Sequence, residues 1–343
     1  MTEATVDRPT TGADAPDIPS PADLEARLET HRTELTGYCY RILGSAFEAE
    51  DAVQETFVRA WRNLERFEGR SSFRSWLYKI ATNVYLDMKS ATQRRARPID
   101  LNPAVTADTK LGEPLPDSAW VEPVPDERTI AVGGDPADVA MARESIRLAF
   151  VAALQHLPPK QRAVLILREV LRWKAEEVAD LLDTSTASVN SALQRARATL
   201  SAKDLVEADP TPTELDDAHR ALLDRYVAAF EQYDMNALTA LLNEDARWSM
   251  PPYELWLRTN PDIVAWCLGP GIGCRGSRLV PINVNGSPGF GQYKPDPING
   301  GLAPWSIQVL ELEPDGSRIA GITFFLDTER FFPLFGLPPH LDA

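Results

Sequence analysis

The stretch DAVQETFVRAWRNLERFEGRSSFRSWLYKIATNVYLDMKSATQRRAR, from Asp51 to Arg97, decides how the rest of the chain is read. It holds two helical patterns joined by a short Gly/Ser/Arg connector. In the first, Val53, Phe57, Ala60/Trp61 and Leu64 recur at three- and four-residue intervals and predict one buried stripe. Asp51, Gln54, Glu55, Arg59 and Arg62 fall on other faces. In the second, Phe73, Trp76/Leu77, Ile80, Val84 and Met88 form the stripe, leaving Arg74, Tyr78, Lys79, Thr82, Asn83, Tyr85 and Lys89 to project outward. Interleaved aromatic and basic residues suit single-stranded nucleic acid, because rings stack on bases while cations hold phosphates. Arg94, Arg95 and Arg97 extend the cationic face. Periodicity alone fits equally well a helical hairpin whose aromatics are all core and whose charges are solvated.

The string DAVQETFVRAW…GRSSFRSWLYKIATNVYLDM resembles the second conserved region of the extracytoplasmic-function (ECF) sigma factors, compact relatives of the housekeeping bacterial sigma subunit. That resemblance implies a pocket for a flipped promoter base at the connector Arg66–Ser72 and the start of the next helix. Asn83 would read the base edge, Phe67, Trp76 and Tyr78 would form walls, and Arg70, Arg74 and Lys79 would hold phosphates. Asp51, Gln54 and Glu55 would meet the β′ clamp helices of core RNA polymerase; an acidic and amide face suits a basic partner.

At 343 residues the chain is long enough for two or three domains. A net charge of −15 argues at first against nucleic acid, but the distribution reverses that reading. Residues 31–98 carry 12 basic side chains against 8 acidic, and residues 143–203 carry 10 against 6. Residues 99–142 carry 2 against 9, and residues 204–343 carry 9 against 20. Two mildly basic modules alternate with acidic segments. Cys39, Cys267 and Cys274 lack CxxC spacing and read as reduced thiols, and no histidines pair at metal-ligand spacing. The first residues have no basic region followed by an apolar run, so no signal peptide is expected there, and no apolar run is long enough for a membrane span.

A helical pattern from Leu24 to Leu43 can pack on the hairpin. A second helical module starts near Asp138, runs to Leu157, stops at Pro158-Pro159 and resumes over Gln161–Leu171. Glu176–Leu182 and Thr186–Leu200 then read as a helix-turn-helix around Asp183-Thr184-Ser185, with Ser185 or Thr184 as N-cap and Asp183 tolerating the left-handed conformation. LPPKQRAVLILREV…EEVADLLDTSTASVNSALQRARATL resembles the fourth conserved region of the same sigma family. The resemblance places Thr186, Ser188, Asn190, Ser191 and Gln194 near −35 base edges, with Arg168, Arg172, Arg195 and Arg197 on phosphates. Many relatives carry basic residues where Asn190 and Ala192 stand, a departure that bears on promoter preference and grip on duplex DNA.

Beyond Thr213, helices over Leu215–Gln232, Met235–Leu242 and Pro261–Leu268 mix with strand-like runs at Ala246–Met250, Arg278–Val284, Phe290–Tyr293, Trp305–Leu312 and Ile319–Leu326. This order resembles a SnoaL-like polyketide-cyclase (nuclear-transport-factor-like) α+β cone, with Trp248, Met250, Trp256, Tyr293 and Trp305 as candidate pocket liners. Asp245, Asp262 and Asp327 are carboxylates a cone enzyme could use as base, but no spacing singles one out.

The expected architecture is multidomain: two all-α sigma domains, the second with a helix-turn-helix, followed by an α+β cone. The expected boundaries are a disordered acidic N-terminus (1–21), sigma region 2 (22–98), an acidic Pro-rich linker (99–137), sigma region 4 (138–203), a linker (204–213) and the cone (214–343). The expected function is an alternative sigma factor that directs promoter recognition, melting and initiation, not an enzyme, with no cofactor or metal, acting in the cytoplasm. Expected partners are core polymerase (β′ clamp helices and β flap) and promoter DNA, with an anti-sigma factor or a small ligand of the cone as further candidates. The rival readings are a ligand-sensing one-component DNA-binding regulator and a cone-fold enzyme with a DNA-binding appendage.

Overall fold

The computed structural model describes residues 20, 22–88, 94–131, 133, 135–202 and 215–342. The expected disordered N-terminus and the 204–213 linker lie outside the described residues, apart from Ser20.

The first helical unit consists of α1 (Leu24–Thr30), α2 (Arg32–Leu43), α3 (Ala46–Asn63) and α4 (Phe73–Asp87). The expected helix from Leu24 breaks at His31, and Gly44 ends α2 in the left-handed conformation that suits glycine (φ 71°). Ser45 and Ser72 cap α3 and α4 by accepting from the backbone of Glu48 and Ser75. The residues joining the two helical units do not form a free spacer. They include α5 (Pro98–Leu101) and α6 (Asp126–Thr129), and bury Trp120, Val121 and Val124. Arg95, expected on the cationic face, is instead buried, bonded to the carbonyls of Asp117 and Trp120 and paired with Glu48.

The second helical unit is α7 (Pro136–Glu144), α8 (Leu148–Leu154), α9 (Pro159–Leu165), a π-helical turn at Ile166–Val170, α10 (Ala175–Leu181) and α11 (Thr186–Ser201). The single helix expected from Asp138 to Leu157 is split at Ser145–Arg147. Ser145 Oγ accepts from the buried Arg41 guanidinium, and the Ile146 carbonyl faces the C-terminal unit.

The C-terminal unit packs α12 (Asp217–Glu231), α13 (Met235–Leu241) and α14 (Asn260–Leu268) against a six-stranded sheet. Its strands are β1 (Leu242–Ser249), β2 (Trp256–Leu257), β3 (Arg278–Val284), β4 (Ser287–Pro295), β5 (Leu302–Leu312) and β6 (Ile319–Phe325), ordered β2-β1-β6-β5-β4-β3. Only the β1–β6 pair is parallel. Strand periodicity explains how both faces are used. Leu310, Ile322 and Phe324 point to α12–α14, while their neighbours Val309 and Phe325 join Phe331 and Phe332 of α15 (Thr328–Leu334) in a core continuous with both helical units. The sheet is therefore covered by its own helices on one side and by the rest of the chain on the other.

Candidate nucleic-acid interface

The nucleic-acid candidates on α4 divide by burial. Asn83 and Arg70 are exposed, with Arg70 paired to Glu68 at 3.0 Å. Phe67 is buried and stacked on half-buried Trp76 at 4.8 Å, and Phe73 closes the cluster at 5.9 and 5.8 Å. The three rings pack on one another. Tyr78, Thr82 and Tyr85, expected to face outward, are buried. The cause is tertiary: α2 and the second helical unit together cover that face of α4, with Tyr38 of α2 donating to or accepting from Thr82 at 2.8 Å and Trp173 of the second unit lying 5.0 Å from Tyr78. Burial pushes the Tyr78 and Tyr85 hydroxyls above the ordinary phenol range. Arg74 lies over Tyr78 and Trp173 and bonds Glu34, so it is engaged inside the protein. Trp61, expected in the buried stripe, is 55% exposed at the end of α3. On the same helix Asp51 and Gln54 are exposed, and Glu55 pairs with Arg59.

Helix α11 leaves most of the residues expected on a recognition helix exposed. Val178 and Ala179 close against Val189 and Leu193, Ser185 caps the helix, and Asp183 takes a left-handed φ of 47°. Ser188, Asn190, Gln194, Arg195 and Arg197 are exposed; Thr186 and Ser191 are partly so. Arg195 donates to Ser191 at 2.6 Å and Arg197 pairs with Glu169 at 2.7 Å. The π-helical turn carries Arg168, which donates to the Trp173 carbonyl instead of pointing to solvent, and Arg172 lies 3.6 Å from Asp138.

Lys79 joins the two candidate DNA surfaces. It bonds Asp183 in the turn at 2.6 Å and approaches the Asp180 carbonyl at 3.4 Å. The pair is largely exposed and worth at most about 1 kcal/mol. Its meaning is geometric: a phosphate-holding candidate of one unit is occupied by the helix-turn-helix of the other.

The C-terminal unit reaches the same junction through its β3–β4 hairpin. Asn285, at the tip, is fully buried with a left-handed φ of 54°. Its side chain accepts from Val124 N–H at 3.0 Å and donates to the Tyr40 hydroxyl at 2.6 Å and the Ile146 carbonyl at 2.8 Å. One side chain thus ties together the first helical unit, the joining segment and the second unit. Arg330 adds a second tie, bonding Asp117 at 2.7 Å and Glu122 at 3.0 Å while lying over Phe47 at 4.3 Å.

Gly286, next to Asn285, donates its N–H to Asp126 at 2.8 Å. Burial pushes the Asp126 carboxyl up to about 6, against the pull of that N–H and of Arg143 and Arg147, with Glu127 adding to the rise. A carboxyl raised on folding favours the folded state in full below its unfolded value of 3.8, and that advantage is lost as pH rises through about 6. Asp126→Asn, which keeps an acceptor without the charge, is expected to raise stability at pH 7.5 by about 1 kcal/mol and to flatten stability between pH 4 and 7. Chemical denaturation at a series of pH values checks this; an unchanged slope would reject it.

Among the expected pocket liners, Trp248, Met250 and Trp305 do line a cavity of about 210 Å³ between the sheet and α12–α14. Trp256 and Tyr293 do not. The Trp256 indole donates to the Asn102 carbonyl in the joining segment. Tyr293 lies on the opposite sheet face against Phe332, because a register shift at Gln292/Tyr293 and strand alternation turn it away. Phe230, Tyr233, Trp266 and Leu111 also line the cavity; the helical period of α12 was a usable signal for Phe230, whereas Tyr233, in the left-handed turn after that helix, and Leu111 had none. None of Asp245, Asp262 and Asp327 lines it: Asp245 pairs with Arg258, Asp262 accepts from Ala107 N–H, and Asp327 caps α15. Among the described residues no cluster of His, Cys, Asp or Glu is placed to hold a metal, and no helix is long and apolar enough to cross a membrane.

Comparison with known proteins agrees with the arrangement of two helical units. Residues 28–95 match the family model for sigma-70 region 2, and residues 147–200 match that for sigma-70 region 4. The chain is 43% identical over 334 residues to the ECF RNA polymerase sigma factor SigG of Mycobacterium tuberculosis, covering 93% of this chain and 85% of that one. It is 30% identical over 226 residues to SigJ of the same organism, covering 65% and 64%. The crystal structure of SigJ superposes with a TM-score of 0.58 at 23% identity, covering 90% of this chain and 98% of that one, which shows a shared fold.

Proposed function

This chain belongs to the ECF RNA polymerase sigma factors, and on that premise we propose that it is a sigma factor held closed by its own C-terminal unit. As a sigma factor it binds core RNA polymerase and directs it to promoter DNA. Asp51, Gln54 and Glu55 meet the polymerase clamp, Asn83 captures a melted base, and the exposed face of α11 reads the −35 element. The C-terminal unit is a SnoaL-like cone, a reading supported by a mixed sheet wrapped around three helices and a cavity. Its work is regulatory and the chain acts in the cytoplasm with polymerase.

The observation that carries the closed state is the Lys79–Asp183 contact, beside the three-way seating of Asn285. A factor that must grip duplex DNA with α11 and unpaired DNA with α4 has α4 tied to α10 and to the turn that leads into α11. Opening separates them, and the hairpin tip opposes opening.

Run-off transcription with core polymerase tests the proposal. Truncation after about residue 205 is expected to raise promoter output several-fold. Truncation also uncovers apolar surface that the sheet now buries, so a full-length variant accompanies it. In Gly286→Ala the new methyl group meets the Arg143 carbonyl at a positive φ of 65°, which unseats the hairpin. If both variants give unchanged or lower output at equal occupancy of core, the restraint reading is wrong.

A further inference from the structure

We infer that the cavity of the C-terminal unit binds a small, neutral, aromatic-rich molecule, and that the segment joining the two helical units is the lid of that site. Its walls include the rings of Trp248, Trp266, Trp305, Tyr233 and Phe324. A volume of about 210 Å³ equals roughly seven waters at liquid density, enough for one or two fused rings. Among the described residues its lining holds no Asp, Glu, His, Lys or Arg. The Tyr233 hydroxyl is already committed to the carbonyls of Cys267 and Gly271, at 2.7 and 2.9 Å. Burial pushes the Cys267 thiol up to about 12, so it stays neutral. The nearest cations, Lys294 and Arg275, are engaged with the Trp305 and Tyr233 rings at 3.2 and 5.4 Å, so a charged ligand entering this space would lose its hydration without a counter-charge in the lining itself. A flat apolar ligand would gain ring contacts on several sides.

The joining segment is stapled around the mouth. Val105 N–H donates to the Trp256 carbonyl at 3.0 Å, Ala107 N–H to the Asp262 carboxylate at 3.3 Å, and Leu115 N–H to the Pro252 carbonyl at 2.9 Å. Between the staples, Leu111 lines the cavity yet remains 45% exposed. It is a lid residue with half its apolar surface uncovered, and a bound ring system at the mouth would cover it. The occupant therefore strengthens the attachment of the segment to the C-terminal unit. By linkage, anything that draws the segment away weakens ligand binding by the same factor. That such an occupant lowers transcription rests on the closed-state reading above; the site and its lid do not.

The test uses the full-length protein without polymerase, so its failure leaves the sigma-factor reading untouched. 1-Naphthol is titrated while tryptophan fluorescence is read, with 1-naphthoate as the charged control. Saturable quenching by naphthol and at least tenfold weaker binding of naphthoate are expected. Leu111→Ala, an exposed change in the joining segment, should weaken naphthol binding about five-fold. Cys274→Trp, which fills the cavity, should abolish it while preserving far-ultraviolet circular dichroism. Trypsin cleavage at the exposed Lys110 should slow when naphthol is present. Absence of saturable binding, or equal binding of naphthoate, overturns the site. Unaltered affinity in Leu111→Ala together with unaltered cleavage at Lys110 overturns the lid.

Discussion

Asn285→Ala is expected to lower stability by about 3 kcal/mol, since it strips buried partners of hydrogen bonds each worth about 1–3 kcal/mol to leave unmade. Val124 N–H and the Ile146 carbonyl lose that side chain, and the Tyr40 hydroxyl keeps only its own bond to the Glu122 carbonyl. Alanine at φ 54° adds strain that asparagine tolerates better. Asn285→Gly separates the two effects, because glycine removes the side chain without the strain. Urea denaturation followed by circular dichroism should show a lower midpoint for both variants, with alanine the worse. Small-angle scattering should report a larger radius of gyration. A loss below about 1 kcal/mol in Asn285→Ala would mean that the hairpin tip is not a latch.

Asn83→Ala is expected to reduce open-complex formation by about tenfold or more, while affinity for core polymerase changes less than about twofold. One well-placed amide contact to a base edge contributes about 1–3 kcal/mol of discrimination. Asn83 is exposed on α4, so removing its side chain leaves the fold intact. Permanganate reactivity of unpaired thymines measures opening, and competition with a labelled sigma factor measures core binding. Equal loss of both would reject the assignment. Asn83 differs here from Phe67 and Tyr78: those rings are interior to the closed protein, so their substitution would confound base capture with folding.

Where the periodic reading of α3 and α4 fell short, the cause was what covers each face. The stripe of Phe73, Leu77 and Val84 is buried as its spacing implies. Its opposite face was read as solvated because a period of 3.6 identifies one buried side and is silent about a second. Tyr78, Thr82 and Tyr85 lie on that second side, covered by Tyr38 of α2 and by Trp173 and the second helical unit. Trp61 shows the converse, a stripe residue near a helix end that stays 55% exposed. Acidic and proline-rich composition likewise suggested a spacer from residue 99 onward. Yet Trp120, Val121 and Val124 bury its later part while residues 101–117 stay largely exposed, and Arg95 bonds the carbonyls of Asp117 and Trp120.

Local chemistry written in the chain determined its elements: serine caps before α3, α4 and α11, the left-handed Asp183 in the helix-turn-helix, and the strand-like runs that became β3, β4, β5 and β6. Those signals act between neighbours a few residues apart, so a linear reading can find them. Only the tertiary structure decided that Lys79 meets Asp183, that Asn285 seats beside Tyr40, and that Leu111 closes a cavity built more than a hundred residues away. Such contacts arise from which apolar faces find each other when three units pack, and no local period encodes that choice.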